Sequence, residues 1–258
     1  MTGTIVGTID FAQVALYLFW VFFFGLIIWI QRENMREGYP LESEVTGGDA
    51  GARPFGMPSP KTFKLPHGEG EIQKPGYQDG DDRDFSGVLA KSDAFSGAPY
   101  EPTGNPLEDG VGPAAWCERA ERPDLKADGS VKIRPMRMLD EFSIAQGSRD
   151  LRGYEVRAAD GEIGGTVKDL WIDQAEQLIR YLEVELDDGS TRLVPFTLCW
   201  VSWFGPVVKV HSLKADQFIM VPETMSPDQI TLREEDRISA YWCGGKLRSE
   251  EHTSELQS

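Results

Sequence analysis

The sequence predicts one membrane-spanning helix followed by a mainly-β domain, with an extended arm between them and a helix near the C-terminal end. Three observations carry this. Residues 11–30, FAQVALYLFWVFFFGLIIWI, hold one polar side chain, Gln13, and no charge. Residues 38–113 hold ten of the sixteen prolines and fourteen of the twenty-seven glycines, so neither a long helix nor a broad sheet fits there. From about residue 130 onward, short β-branched runs alternate with turn dipeptides, the pattern of a small antiparallel barrel or sandwich.

The apolar run comes first. Twenty residues at about 1.5 Å each span about 30 Å, the thickness of a bilayer's hydrocarbon core. A helix also satisfies every backbone group internally, as lipid demands. The preceding MTGTIVGTID has no Lys or Arg and no small-residue cleavage motif follows, so a cleavable leader is not expected. Arg32 and Arg36 lie just past the run, whereas only Asp10 precedes it. Under the positive-inside rule this predicts residues 1–10 as a periplasmic tail, 11–33 as the spanning helix, and the remainder in the cytoplasm. Eight of the twenty residues are aromatic and no GxxxG occurs, which favours bulky neighbours or lipid over close helix pairing.

Composition narrows the function. The formal net charge is -16, which argues against nucleic acid as a partner and against a basic patch lying on anionic lipid. Cys117, Cys199 and Cys243 have no CxxC spacing and read as reduced thiols,. No HExxH, Walker loop, GxSxG or GxGxxG occurs in a strand–helix context, so no stand-alone enzyme site is visible. Arg248–Ser258, RSEEHTSELQS, resembles a translated sequencing adapter and is set aside from the fold, with the natural C-terminus expected beyond about residue 247.

The arm, taken as 34–130, carries Phe55, Phe63, Leu65, Phe85, Val88, Leu89 and Phe95. A solvated linker has no need of these, so the arm is expected to drape over a partner. The domain, taken as 131–247, opens with GYEVRA, the turn Asp160-Gly161 and GTVKDLWID. In QLIRYLEVEL, Leu182, Val184 and Leu186 fall on one face and Tyr181, Glu183 and Glu185 on the other,. The turn Asp188-Gly189 leads to STRLVPF, and PVVKVHSL follows,. Ser226-Pro227-Asp228 is expected to open the last helix, and Gly244-Gly245 to end it,.

Several of these strings together resemble one family. NMREGYPLE (34–42), KTFKLPHGEG (61–70), DGVGPAAW (109–116), KDLWID with IRYLEVEL (168–186), DGSTRLVP (188–195) and TLREEDRISAYWCGG (231–245) occur in order. The chain is similar to the H subunit of the photosynthetic reaction centre of purple bacteria. The resemblance implies a single transmembrane helix plus a cytoplasmic PRC-type antiparallel β-barrel. It implies a non-catalytic subunit that caps the L and M subunits, stabilises the complex, shields the quinone sites and helps conduct protons to the secondary quinone. It also implies an inner (intracytoplasmic) membrane location. Bacteriochlorophyll, bacteriopheophytin, quinones and non-haem iron are then expected on L and M, and no cofactor on this chain alone. Membrane lipids, a cytochrome subunit and a light-harvesting antenna ring are further partners the family admits. The alternative is a membrane-anchored PRC-barrel binding module unrelated to photosynthesis.

The resemblance also nominates residues. Glu176 matches the family's acid near the secondary quinone and Asp173 its neighbour, with Arg180 placed to tune that pair. Lys132 and Arg134, in KIRPM, match a basic pair at the interface with M. Where well-known members carry an Asp and a His-Gly-His cluster, this chain reads LKADGSVKIRPM. Lys126 takes the aspartate position, and Asp128 and Ser130 take the histidine positions. A histidine metal site is therefore not expected, and Asp128 is left as a surface acid at the mouth of the proton route. His67 matches a family position and reads as structural.

Overall fold

A computed structural model describes residues 4–6, 9–39, 41, 55–76 and 83–255, with side chains for 10–39, 41, 55–76 and 83–245. The chain divides into two units, residues 1–82 with 95–97, and residues 83–94 with 98–258.

The first unit begins with a short hairpin, β1 (Thr4–Val6) and β2 (Ile9–Asp10), followed by α1 (Phe11–Glu33). Asp10 caps α1, its carboxylate accepting from Gln13 N at 2.8 Å,. No α1 side chain is buried, and α1 is long and apolar enough to cross a membrane,. Aromatic pairs one turn apart, Phe19–Phe23 and Trp20–Phe24, stack with centroids 5.8 Å apart. Past the helix the arm folds back as a hairpin, β3 (Lys61–Lys64) with β4 (Glu71–Lys74). Arg36 fastens it: the buried guanidinium donates to Ser59 O and Lys74 O, each at 2.9 Å, and to both Glu33 oxygens,.

The second unit holds the core. A small hairpin, β5 (Leu89–Lys91) and β6 (Tyr100–Pro102), precedes the one-turn helix α2 (Pro106–Asp109). Then come β7 (Ile133–Pro135), β8 (Glu155–Arg157), β9 (Ile163–Asp173), β10 (Leu178–Glu185), β11 (Thr191–Pro195), β12 (Cys199–Val201), β13 (Val207–Val210) and α3 (Leu232–Glu255). The strand order is β11-β10-β9-β8-β13-β12, with β7 added on β9. All pairs are antiparallel except β8 with β13. The two ends of this path, β11 and β12, are consecutive in sequence and joined by the 3-10 turn Phe196–Leu198. A three-residue link cannot cross a flat six-strand sheet about 24 Å wide. The sheet must therefore curl until its ends meet.

Inside lie Val156, Leu170, Leu182, Val184 and Phe218, all essentially inaccessible. Burial of each such side chain contributes about 1.5–3 kcal/mol. α3 seals the structure through Trp242, which packs edge-to-face on Phe218 at 4.9 Å and donates to Leu193 O at 2.9 Å,.

Two expectations are corrected. First, α3 does not stop at Gly244-Gly245 but runs to Glu255. The glycines serve close packing: a Cβ on Gly244 would stand 2.8 Å from Ala114 Cβ, and one on Gly245 would overlap Leu213 and Ser212 O. The reading of Arg248–Ser258 lies outside the residues whose side chains are described. Second, α3 starts at a capping box, with Glu234 N donating to Thr231 Oγ1 (3.2 Å) and Thr231 N to Glu234 Oε2 (2.8 Å),. Ser226 and Asp228 close a separate turn upstream. The face of β10 opposite Leu182 and Val184 is also covered, with Tyr181 and Glu183 both buried. Tyr181 is covered by α3. Glu183 accepts from Trp171 Nε1 at 2.8 Å and from Arg137 Nη1 at 2.6 Å, and Arg137 also pairs with Asp169 at 3.0 Å.

Candidate functional site

Asp173 is the last residue of β9, and its register partner on β7 is Ile133. Lys132, just before Ile133, is thereby held beside the β9–β10 turn. Its backbone is locked from both sides: its N–H donates to Asp124 O at 2.9 Å, and its carbonyl accepts from Gln174 N at 3.0 Å. The side chain then meets three carboxylates, Asp124 at 3.5 Å, Asp173 at 3.4 Å and Glu176 at 3.5 Å. Burial works against the ammonium, but Asp173, Asp124 and Glu176 outweigh it and raise its pKa,.

The three acids differ in exposure. Asp173 is fully buried. Its Oδ1 accepts from Ala175 N and Glu176 N, both at 3.0 Å, which shapes the turn,; its Oδ2 meets only Lys132. Glu176 is half exposed, at 53% of its side chain, and Asp124 is similar. The cluster therefore runs from the half-exposed Glu176 and Asp124, through a shared cation, to the buried Asp173.

Behind it lies a cavity of about 210 Å³ whose walls include Lys132, Asp173, Arg180, Tyr181 and Glu235, a volume for several waters. Glu235, in the first turn of α3, accepts from Tyr181 Oη at 2.9 Å. Burial raises the Glu235 pKa against the opposing pull of Tyr181 and Arg180, and burial likewise raises that of Tyr181.

Of the nominated residues, Asp173, Glu176 and Lys132 come together, and Arg180 lines the same cavity. Arg134 pairs instead with Asp228 at 3.7 Å. Asp128 stands apart on the 126–130 turn. It accepts from Ser130 N (2.9 Å) and Oγ (2.6 Å), bonds that hold its carboxyl below the usual range. Lys126 links the two places, lying 3.7 Å from Asp128 and 3.2 Å from Gln174 Oε1. Sequence reasoning missed Asp124, Tyr181 and Glu235. The local bridge of Leu125 with Val131 sets Asp124 beside Lys132, whereas the pairing of Pro123 with Thr231 brings Glu235 into range.

Comparison with known families agrees with this architecture. Residues 3–138 match the photosynthetic reaction centre H-chain N-terminal region, and residues 146–220 match the PRC-barrel domain. The first match covers the apolar helix, the arm and the Lys132 strand, and a barrel module alone does not account for it. Such a chain is a structural subunit associated with other reaction-centre subunits. With more than half of its length matched, this chain belongs to the photosynthetic reaction centre H-chain family.

Proposed function

We propose that this chain caps the cytoplasmic face of the L and M subunits, shields the quinone sites from bulk water, and passes protons inward through its lysine-centred carboxylates. L and M would carry the bacteriochlorophyll, bacteriopheophytin, quinones and non-haem iron, whereas this chain would hold none. The positive flank at Arg32 and Arg36 supports a periplasmic N-terminus in the inner (intracytoplasmic) membrane,.

The observation that carries the reading is the graded cluster itself. Reduction of a quinone inside a dry complex requires protons from outside. Glu176, half in water, takes up a proton at a carboxylate oxygen. Lys132 holds Glu176 and Asp173 within one ion-pair network, and Asp173 is its buried end. Arg180 and Lys132 offset the repulsion of neighbouring acids, so proton positions along the relay are coupled.

Glu176→Gln tests this. It keeps the size and some hydrogen bonding but removes the exchangeable acid. The second electron transfer to the secondary quinone, which needs a proton, should slow by about tenfold, the low end for a positioned acid or base. The first transfer should change little. Unaltered second-transfer rates from about pH 6 to about pH 9, in a complex of normal composition, would return Glu176 to the ordinary turn acids.

A further inference from the structure

The loop between β12 and β13 presents an aromatic tip to the outside. Phe204 is fully exposed, Trp203 is 77% exposed, and Trp200 on β12 is 61% exposed. Large aromatics seldom sit so openly on a chain unless something covers them. The tip is also braced. Arg149 donates to Ser202 O at 2.6 Å and to Trp203 O at 3.1 Å, and its guanidinium lies 5.7 Å from the Trp203 ring centroid. At the foot of the loop a groove of about 410 Å³ runs along β13, and Lys209, Arg157 and His211 line it. Arg157 is answered by Glu155 at 3.2 Å. Among the described residues, neither Arg149 nor Lys209 pairs with a carboxylate. The groove lining itself carries two cations, Arg157 and Lys209, and no carboxylate, with Asp160 beside it.

Strand register gives the loop a direction. Val207 pairs with Glu155 in the parallel β13–β8 ladder, and Glu155 with Thr166 in the antiparallel β8–β9 ladder. The chain just before Val207 therefore points toward the end of β9 that carries Asp173. Twist over two strand steps, about 45°, does not reverse that direction. The aromatic tip and the carboxylate turn thus share one end of the sheet.

We infer that the 200–206 loop and its cationic groove dock on the anionic phospholipid surface of the membrane that α1 crosses. This rests on the proposed function, in which the chain caps membrane-embedded partners and so lies close to the bilayer surface. Aromatic rings beside unpaired cations match the headgroup region of an anionic leaflet. The α1 tether keeps that surface at high effective concentration. The groove takes the lipid phosphate, and the rings take the boundary of the acyl chains.

A nitroxide on Phe204→Cys, in a Cys117→Ser, Cys243→Ser background, tests the inference in the assembled complex. Nanodiscs would be made of phosphatidylcholine alone or with phosphatidylglycerol. With the anionic lipid, collision with oxygen should rise severalfold relative to collision with a water-soluble nickel chelate. Arg149→Gln with Lys209→Gln should abolish that rise. Equal exposure to the chelate in both lipids overturns the inference. So does a label shielded from oxygen and chelate alike in both lipids, the sign of a protein cover. If lipid-dependent contact persists while Glu176→Gln transfers the second electron at the wild-type rate, the proton reading fails and the docking stands. If Glu176→Gln is slow and the label stays in water, the docking alone fails.

Discussion

Lys132 carries one positive charge against three carboxylates, so its removal leaves a buried, uncompensated Asp173. Lys132→Met should lower stability by about 2–3 kcal/mol, below the full value for a buried pair because the lysine keeps some solvent. Urea unfolding followed by tryptophan emission measures this. The raised lysine pKa adds a pH signature. Its contribution is complete below the unfolded-chain value and is lost as pH climbs through the folded one, so it shows only in alkali. Glu235 gives the opposite lesson. Its folded pKa is raised by burial, so the native state holds the proton more tightly than the unfolded chain does. Stability then falls as pH rises from the unfolded-chain value through the folded one. Glu235→Gln keeps an acceptor for Tyr181 and removes that fall. Unfolding curves for the variant should be flatter than wild type between acid and neutral pH, and parallel curves would contradict the assignment.

At the level of elements, α3 shows how one local signal can mean two things. Gly-Gly after an amphipathic run reads as a helix stop. Here the pair lets α3 lie against Ala114 and Leu213 while the helix continues. Gly245→Ala should therefore cost about 1–3 kcal/mol through overpacking, although alanine is the better helix former. Thr231→Ala should cost about 1 kcal/mol by opening the capping box. Thermal unfolding of both variants separates these causes, because only the glycine change should disturb the contacts of Ala114 and Leu213. A Gly245→Ala protein as stable as wild type would restore the stop reading.

Across the whole molecule, most of the fold was legible and part of the site was not. The spanning helix declared itself by twenty uncharged residues, and β9 to β11 by period-two alternation around two Asp-Gly or Gly-containing turns. β7 and β12 are three residues each, too short for a period to register. Glu183 is buried because Arg137 pairs with it and Trp171 Nε1 donates to it, partners that no pattern within β10 reveals. Asp173 and Glu176 come from a family pattern, Asp124 from a short local turn, and Glu235 from a pairing across more than a hundred residues. The lost histidines have a consequence for the complex. Asp128 is engaged by Ser130 and Lys126, and the turn carries no imidazole. Zn²⁺ should therefore slow proton-coupled electron transfer much less than in members with the His-Gly-His cluster. Flash-induced kinetics with and without the metal would show it.

The strand path joined end to end by Phe196–Leu198 makes the domain a split ring held by a clasp. The β9–β10 ladder is the ring's solid arc, and the outer edges of β11 and β12 are its slit. Such a ring can breathe at the slit without breaking a single ladder bond, so opening there is cheaper than opening anywhere on the arc. Amide protons facing the slit should exchange with deuterium well before those of β9 and β10. A protease site engineered into the clasp should turn the ring into an unrestrained strip, while a nick at the Asp188-Gly189 turn should leave the ring shut. Equal exchange around the whole circumference would mean that side-chain packing alone, and not the clasp, holds the ring together.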